Sequence, residues 1–204
     1  FRLPHLSEYP PDLRFPHHLQ YGQARSTLEC ISLSIRCDKT YLSRKDYNVF
    51  MVDWSDLTRF PCYLSALSNT KLAAQCTAQL YSYLTQAGAL AKKITCVGHS
   101  LGAHVCGMIS NHLTEKQYKI IGLDPARPLV SNFGSRLFRL GRDDAYVVQV
   151  IHTNAGFLGE SGQVGHADFC VNGGRLQPGC RGHLMSMFII FKCCINTSGY
   201  LIHA

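Results

Sequence analysis

One serine in this chain stands where a nucleophile would stand. The stretch "ITCVGHSLGAHVCG", residues 94–107, sets Ser100 in a Gly-x-Ser-x-Gly frame between an apolar run and a segment of helical spacing. Glycines on either side let the backbone turn sharply without a Cβ clash, so the hydroxyl is exposed above a sheet edge. A helix starting at the next residue aims its first amides at the same spot, and the N–H of Leu101 is placed to bind a developing oxyanion. The chemistry is acyl transfer through an acyl-serine, which also needs an acid and a histidine to handle the hydroxyl proton. "IIGLDPARP" offers the acid, because it puts Asp124 at the end of the next strand, one βα unit after Ser100. Alone, the first motif is a tight turn with an incidental serine and the second a turn Asp before Pro125. Together, in strand–turn–helix context, they read as nucleophile and acid.

The elements that must hold these residues follow from periodicity. "YNVFMVDWS" is a short β-branched and aromatic run and predicts a buried strand, followed by a Pro-containing loop, "DLTRFPCYLS". "NTKLAAQCTAQLYSYLTQAG" places Leu72, Cys76, Leu80, Tyr83, Leu84 and Ala87 at helical spacing, with Asn69 suited to its N-cap and Gly88 to its stop. "KKITCVGHS" reads as strand, "LGAHVCGMISNHL" as helix, "YKIIGLDPA" as strand and "AYVVQVIHT" as strand. Strands alternating with helices predict βαβ units and a mostly parallel central sheet with helices on both faces. Residues 1–46 give no clear element.

Composition bounds the rest. A chain of 204 residues with 46% apolar residues can bury one substantial core, and a single domain over residues 1–204 is expected. The net charge of +7 is scattered, which favours anionic surfaces such as phospholipid without marking a nucleic-acid patch. Ten cysteines, none in a C-x-x-C pattern, argue against zinc and for an oxidising extracellular setting. The chain opens "FRLPHLSEYPPDL" with no initiator Met and no visible signal peptide. Residues 184–191, "LMSMFIIF", are too short to span a bilayer, and no transmembrane segment is expected.

The motifs "VGHSLGAHVCG", "IIGLDPARPLV", "VVQVIHTNAGFLGESGQVGHADFCVNGG" and "QPGC" resemble the animal pancreatic-lipase-like family, especially its insect members. "DYNVFMVDWSDL" extends the likeness upstream, and the match is strongest over residues 46–182. The resemblance implies an α/β-hydrolase fold, incomplete here at both ends, and secreted lipases or A1-type phospholipases acting on acyl esters without metal or cofactor. By position it makes Ser100 the nucleophile, Asp124 the acid and Leu101 N–H one oxyanion donor. The family's catalytic histidine follows "QPGC" in a Cys-x-His setting, whereas here His183 follows Gly182 without that cysteine and is the weak candidate base. His203 lies one residue from the terminus, His99 and His104 flank the elbow as local packing groups, and His152 reads as a satisfied core histidine. The family's upstream His-Gly pair, source of the second oxyanion N–H, does not occur in residues 1–46. The family also has a disulfide-closed lid after "QPGC", for which Cys180 with Cys193 or Cys194 would serve, and Asn196 opens a glycosylation frame. The tail after Gly182 reads as an apolar flap or a translated intron.

These features predict a secreted lipid-ester hydrolase of triacylglycerol or phospholipid, with a lipid substrate or interface as partner and no nucleic acid. The alternative is a catalytically incomplete relative serving as a lipid-binding or yolk-type storage protein.

Overall fold

The computed structural model describes residues 19–21, 48–54, 57–58 and 62–178. The chain divides into two compact units, residues 1–56 and 57–204. In the first, β1 (Leu19–Tyr21) pairs antiparallel with β2 (Phe50–Val52), Leu19 opposite Val52 and Tyr21 opposite Phe50. The strand expected in "YNVFMVDWS" is therefore β2, shortened to the three residues Phe50–Val52.

The second unit holds the serine. It opens with α1 (Tyr63–Gln86) and continues through β3 (Thr95–His99), α2 (Leu101–Ile109) and β4 (Gln117–Leu123). The short α3 (Val130–Phe133), β5 (Ala145–His152) and β6 (Ala167–Cys170) complete it. The four strands form one sheet in the order β3-β4-β5-β6, parallel at every pairing. Parallel strands are shielded on their faces and read as near-continuous apolar runs, as "KIIGL" and "VVQVI" do. The α/β architecture read from the alternation is present. β5 and β6 are joined differently, by a loop over residues 153–166 instead of a helix.

Helix α1 differs from its expected limits and face. It begins at Tyr63, six residues before the proposed cap Asn69, whose Nδ2 instead donates to Leu57 O at 2.8 Å. It stops where expected: Gly88 takes φ 93°, and Ala89 N–H reaches back to Leu84 O at 2.9 Å. Its buried face is Ala66, Leu67, Thr70, Ala73, Ala74, Ala78, Tyr81 and Leu84, while Leu72 is 46% exposed. Small residues lie on this buried face because α1 packs on α2, and alanines let two helix backbones approach closely. Of the large side chains that marked the expected stripe, Leu84 is buried, whereas Leu72 is exposed and Cys76, Leu80 and Tyr83 are half-buried.

The core beneath the site comes from three elements and one loop residue. Ala103 and Cys106 of α2, Ile120 of β4, and Ala145, Val148 and Val150 of β5 cluster around Leu140. A disulfide joins Cys96 in β3 to Cys106 in α2, closing the ten-residue span that contains Ser100. Among the described residues, no helix is long and apolar enough to cross a membrane.

Candidate active site

Ser100 occupies the junction between β3 and α2 with φ 54° and ψ −120°. A non-glycine residue there costs on the order of 1–3 kcal/mol and persists only where its surroundings impose it. Here three backbone bonds do so. Ser100 N–H donates to Leu123 O at 3.0 Å, and Ser100 O accepts from Ala103 N–H at 3.1 Å and Ala126 N–H at 3.2 Å. Gly98 supplies the necessary space, since a Cβ on it would run into the Gly102 carbonyl and lie 2.6 Å from the Ala103 nitrogen. Leu101 is the first residue of α2, where an amide has no acceptor inside the helix.

Asp124 follows β4 and is likewise held at positive φ, 47°, with its N–H on Ile151 O at 2.7 Å. The residue is only 5% exposed. Oδ1 accepts from the amides of Thr153 at 3.1 Å and Asn154 at 3.0 Å, both just past the end of β5. Burial raises its pKa above the usual carboxylate value, and these amides and the nearby His152 oppose that rise. Gly159 lies against the carboxylate, and a Cβ there would sit 2.8 Å from Asp124 Cγ. The loop between β5 and β6 thus wraps the acid.

Ala126 couples the two loops. Its N–H binds Ser100 O, and its carbonyl accepts from Nε2 of the buried His104 at 2.7 Å. Nδ1 of His104 accepts from Leu140 N–H at 3.1 Å, so the ring is neutral and fixed in one tautomer. Burial lowers its pKa, which favours that state. His99, beside the serine, is held neutral by burial, its pKa pushed down to about 4. His152 points Nδ1 at Glu160 O, 3.0 Å away, and Nε2 at Asp168 Oδ2, 2.9 Å away. Burial acts to raise the Asp168 pKa, but His152 and the amides of Val164 and Gly165 together hold it below the usual value.

These three histidines are engaged as local packing and bonding groups, in line with their reading from sequence. The structure thus brings Ser100, Leu101 and Asp124 to the carboxyl ends of β3 and β4. His183 lies outside the described residues, as do Cys180, Cys193, Cys194 and Asn196. Sequence reasoning did not single out His104 as a brace, nor Thr153, Asn154 and Gly159 as the cradle of the acid. The rule that drew attention to Asp124, a polar residue just past a strand's carboxyl end, applies equally to Thr153 and Asn154. No described group of three or more His, Cys, Asp or Glu side chains is arranged to hold a metal ion.

The family model for Lipase matches residues 24–203. This chain belongs to the lipase family. The match reaches beyond residues 46–182 at both ends and includes His183. The chain is 36% identical to lipase member H-A of Xenopus laevis over 163 residues, 80% of this chain and 35% of the frog protein. It is 36% identical to phospholipase A1 member A of Rattus norvegicus over 155 residues, 76% of this chain and 34% of that protein. Pancreatic lipase-related protein 2 of the same rat is 37% identical over 161 residues, 75% of this chain and 34% of its own length. The matched stretch therefore spans about a third of each of these relatives.

Proposed function

We propose that this lipase-family chain is a secreted hydrolase of lipid acyl esters, triacylglycerol or phospholipid, working through an acyl-serine. Ser100 attacks the ester carbonyl, Leu101 N–H takes up charge on the carbonyl oxygen, and Asp124 orients a histidine that removes and returns the proton. His183 is that base by its place after "QPGC", within the span matched by the lipase model. One observation carries the reading. Ser100 is kept at φ 54°, between strand and helix, by a bond to the very loop that presents Asp124. A tight turn with an incidental serine has no need of that strain. The names of the relatives and the Cys96–Cys106 disulfide support lipid esters and an oxidising, extracellular setting.

The test is fluorophosphonate labelling and p-nitrophenyl butyrate hydrolysis by the full chain beside its Ser100→Ala and His183→Ala variants. Labelling and turnover lost in the first variant, with turnover lost in the second, are expected. Equal background in all three would leave the lipid-binding or storage reading in its place.

A further inference from the structure

Two arginines converge on Gly156, in the loop between β5 and β6. Arg127 donates from Nη1 to Gly156 O at 2.7 Å, and a Cβ on Gly156 would lie 3.4 Å from Arg175 Nη2. Both side chains are exposed, and among the described residues neither forms an ion pair, unlike Arg136, which pairs with Asp143. Guanidinium groups keep their charge at any working pH, and two of them on one glycine repel. A tetrahedral phosphate oxyanion, bound by their planar donor forks, relieves that repulsion.

The ground beside them is apolar. The Phe157 ring centre lies 5.6 Å from the Arg175 guanidinium carbon. Phe157 is 38% exposed, and Leu129 is 45% exposed at a left-handed φ of 61°, strain that no burial of its side chain offsets. Arg127, Leu129 and Phe157 line an open pocket of about 330 Å³. It begins one residue past Ala126, whose N–H binds Ser100 O. Charge without a counter-charge, next to exposed apolar surface and on the loop whose Ala126 bonds Ser100, describes an amphiphile with an anionic head.

We propose that Arg127 and Arg175 form a subsite for the phosphodiester of a phospholipid whose acyl portion lies over Leu129 and Phe157. The proposal rests on the esterase reading of Ser100 for the bound lipid to be substrate, and it deepens that reading by selecting phospholipid over triacylglycerol. Apolar flanks select a lipid headgroup over free phosphate.

The test uses the full chain carrying Ser100→Ala, so that nothing is consumed. Flotation measures its binding to phosphatidylcholine vesicles and to gum-stabilised triolein droplets, with and without Arg127→Gln and Arg175→Gln together. Vesicle affinity is expected to fall about tenfold or more, as for loss of hydrogen bonds to a charged group, while droplet binding stays unchanged. Retained droplet binding also shows that the variant is folded. Lysine at both positions keeps the charge but not the fork, and restores vesicle binding only in part. No loss on vesicles, or an equal loss on both surfaces, overturns the subsite. So does inorganic phosphate raising the unfolding temperature as much as monomeric dihexanoylphosphatidylcholine does, which would make the site one for a free anion. Arginine-dependent vesicle binding, with no ester hydrolysis by the protein that keeps Ser100, keeps the subsite and sinks the esterase reading. Phospholipid hydrolysis indifferent to both arginines does the reverse.

Discussion

The two glycines of the Gly-x-Ser-x-Gly frame look equivalent in the sequence and are not equivalent in space. A methyl group on Gly98 would meet the backbone of the elbow helix: it would run into the Gly102 carbonyl and stand 2.6 Å from Ala103 N, where ordinary contact begins at 3.4 Å. Those atoms belong to the first turn of α2 and cannot swing aside as a side-chain end would. Relief requires the whole helix to lift from β3, against the Cys96–Cys106 bond and the core contacts of Ala103 and Cys106. Overpacking of this kind costs about 1–3 kcal/mol, and backbone blockage puts Gly98→Ala at the upper end. A methyl group on Gly102 meets nothing within 4 Å, and the residue has ordinary helical φ. Alanine is the better helix former, so Gly102→Ala is expected to be neutral or to stabilise by up to about 0.5–1 kcal/mol. Urea unfolding at fixed pH, followed by far-ultraviolet circular dichroism, reads both. Equal midpoints for Gly98→Ala and the unsubstituted protein, or a loss in Gly102→Ala as large as in Gly98→Ala, would refute the packing argument.

Three further outcomes follow from the same structure. Because burial holds His99 at a pKa of about 4 and lowers His104 as well, the folded state resists protons that the unfolded state takes up. Their contribution is complete above pH 6.5 and is lost as pH falls toward 4, so the urea midpoint declines over that window and His99→Asn flattens the decline. Asp124 has the opposite sign: its raised pKa costs stability above that pKa, so Asp124→Asn should not destabilise, while ester turnover drops by about 10⁴-fold from loss of histidine orientation. Reducing the Cys96–Cys106 bond opens a ten-residue loop and should lower unfolding free energy by about 2–3 kcal/mol, with thiol alkylation confirming which pair was opened. An unchanged midpoint after full alkylation of both cysteines would contradict the last of these.

The residue types of the candidate chemistry were legible because they carry local signals. A serine between two glycines after an apolar run, and an aspartate closing the next such run, depend only on neighbours in the chain, and both appear where those signals put them. The same holds for β4, β5 and the end of α1 at Gly88, where period and breaker agree. The start and face of α1 were misjudged because large side chains drew the stripe, whereas close helix approach chose the alanines. β6 was missed because four residues of mixed polarity, "ADFC", become a strand only beside β5.

By itself, then, the sequence determined the α/β alternation, the elbow serine and the strand-end acid, since each is written within a few adjacent residues. Tertiary structure alone decided what holds them. Ala126 meets Ser100, His104 meets Leu140, Thr153 and Asn154 reach Asp124, and Cys96 finds Cys106. The first three couplings join residues 26 to 36 positions apart or bring two loops to one strand end. Such contacts leave no period in the chain. Buried polar groups must find partners, and which partner lies within reach is settled only when parallel strands bring their carboxyl ends side by side.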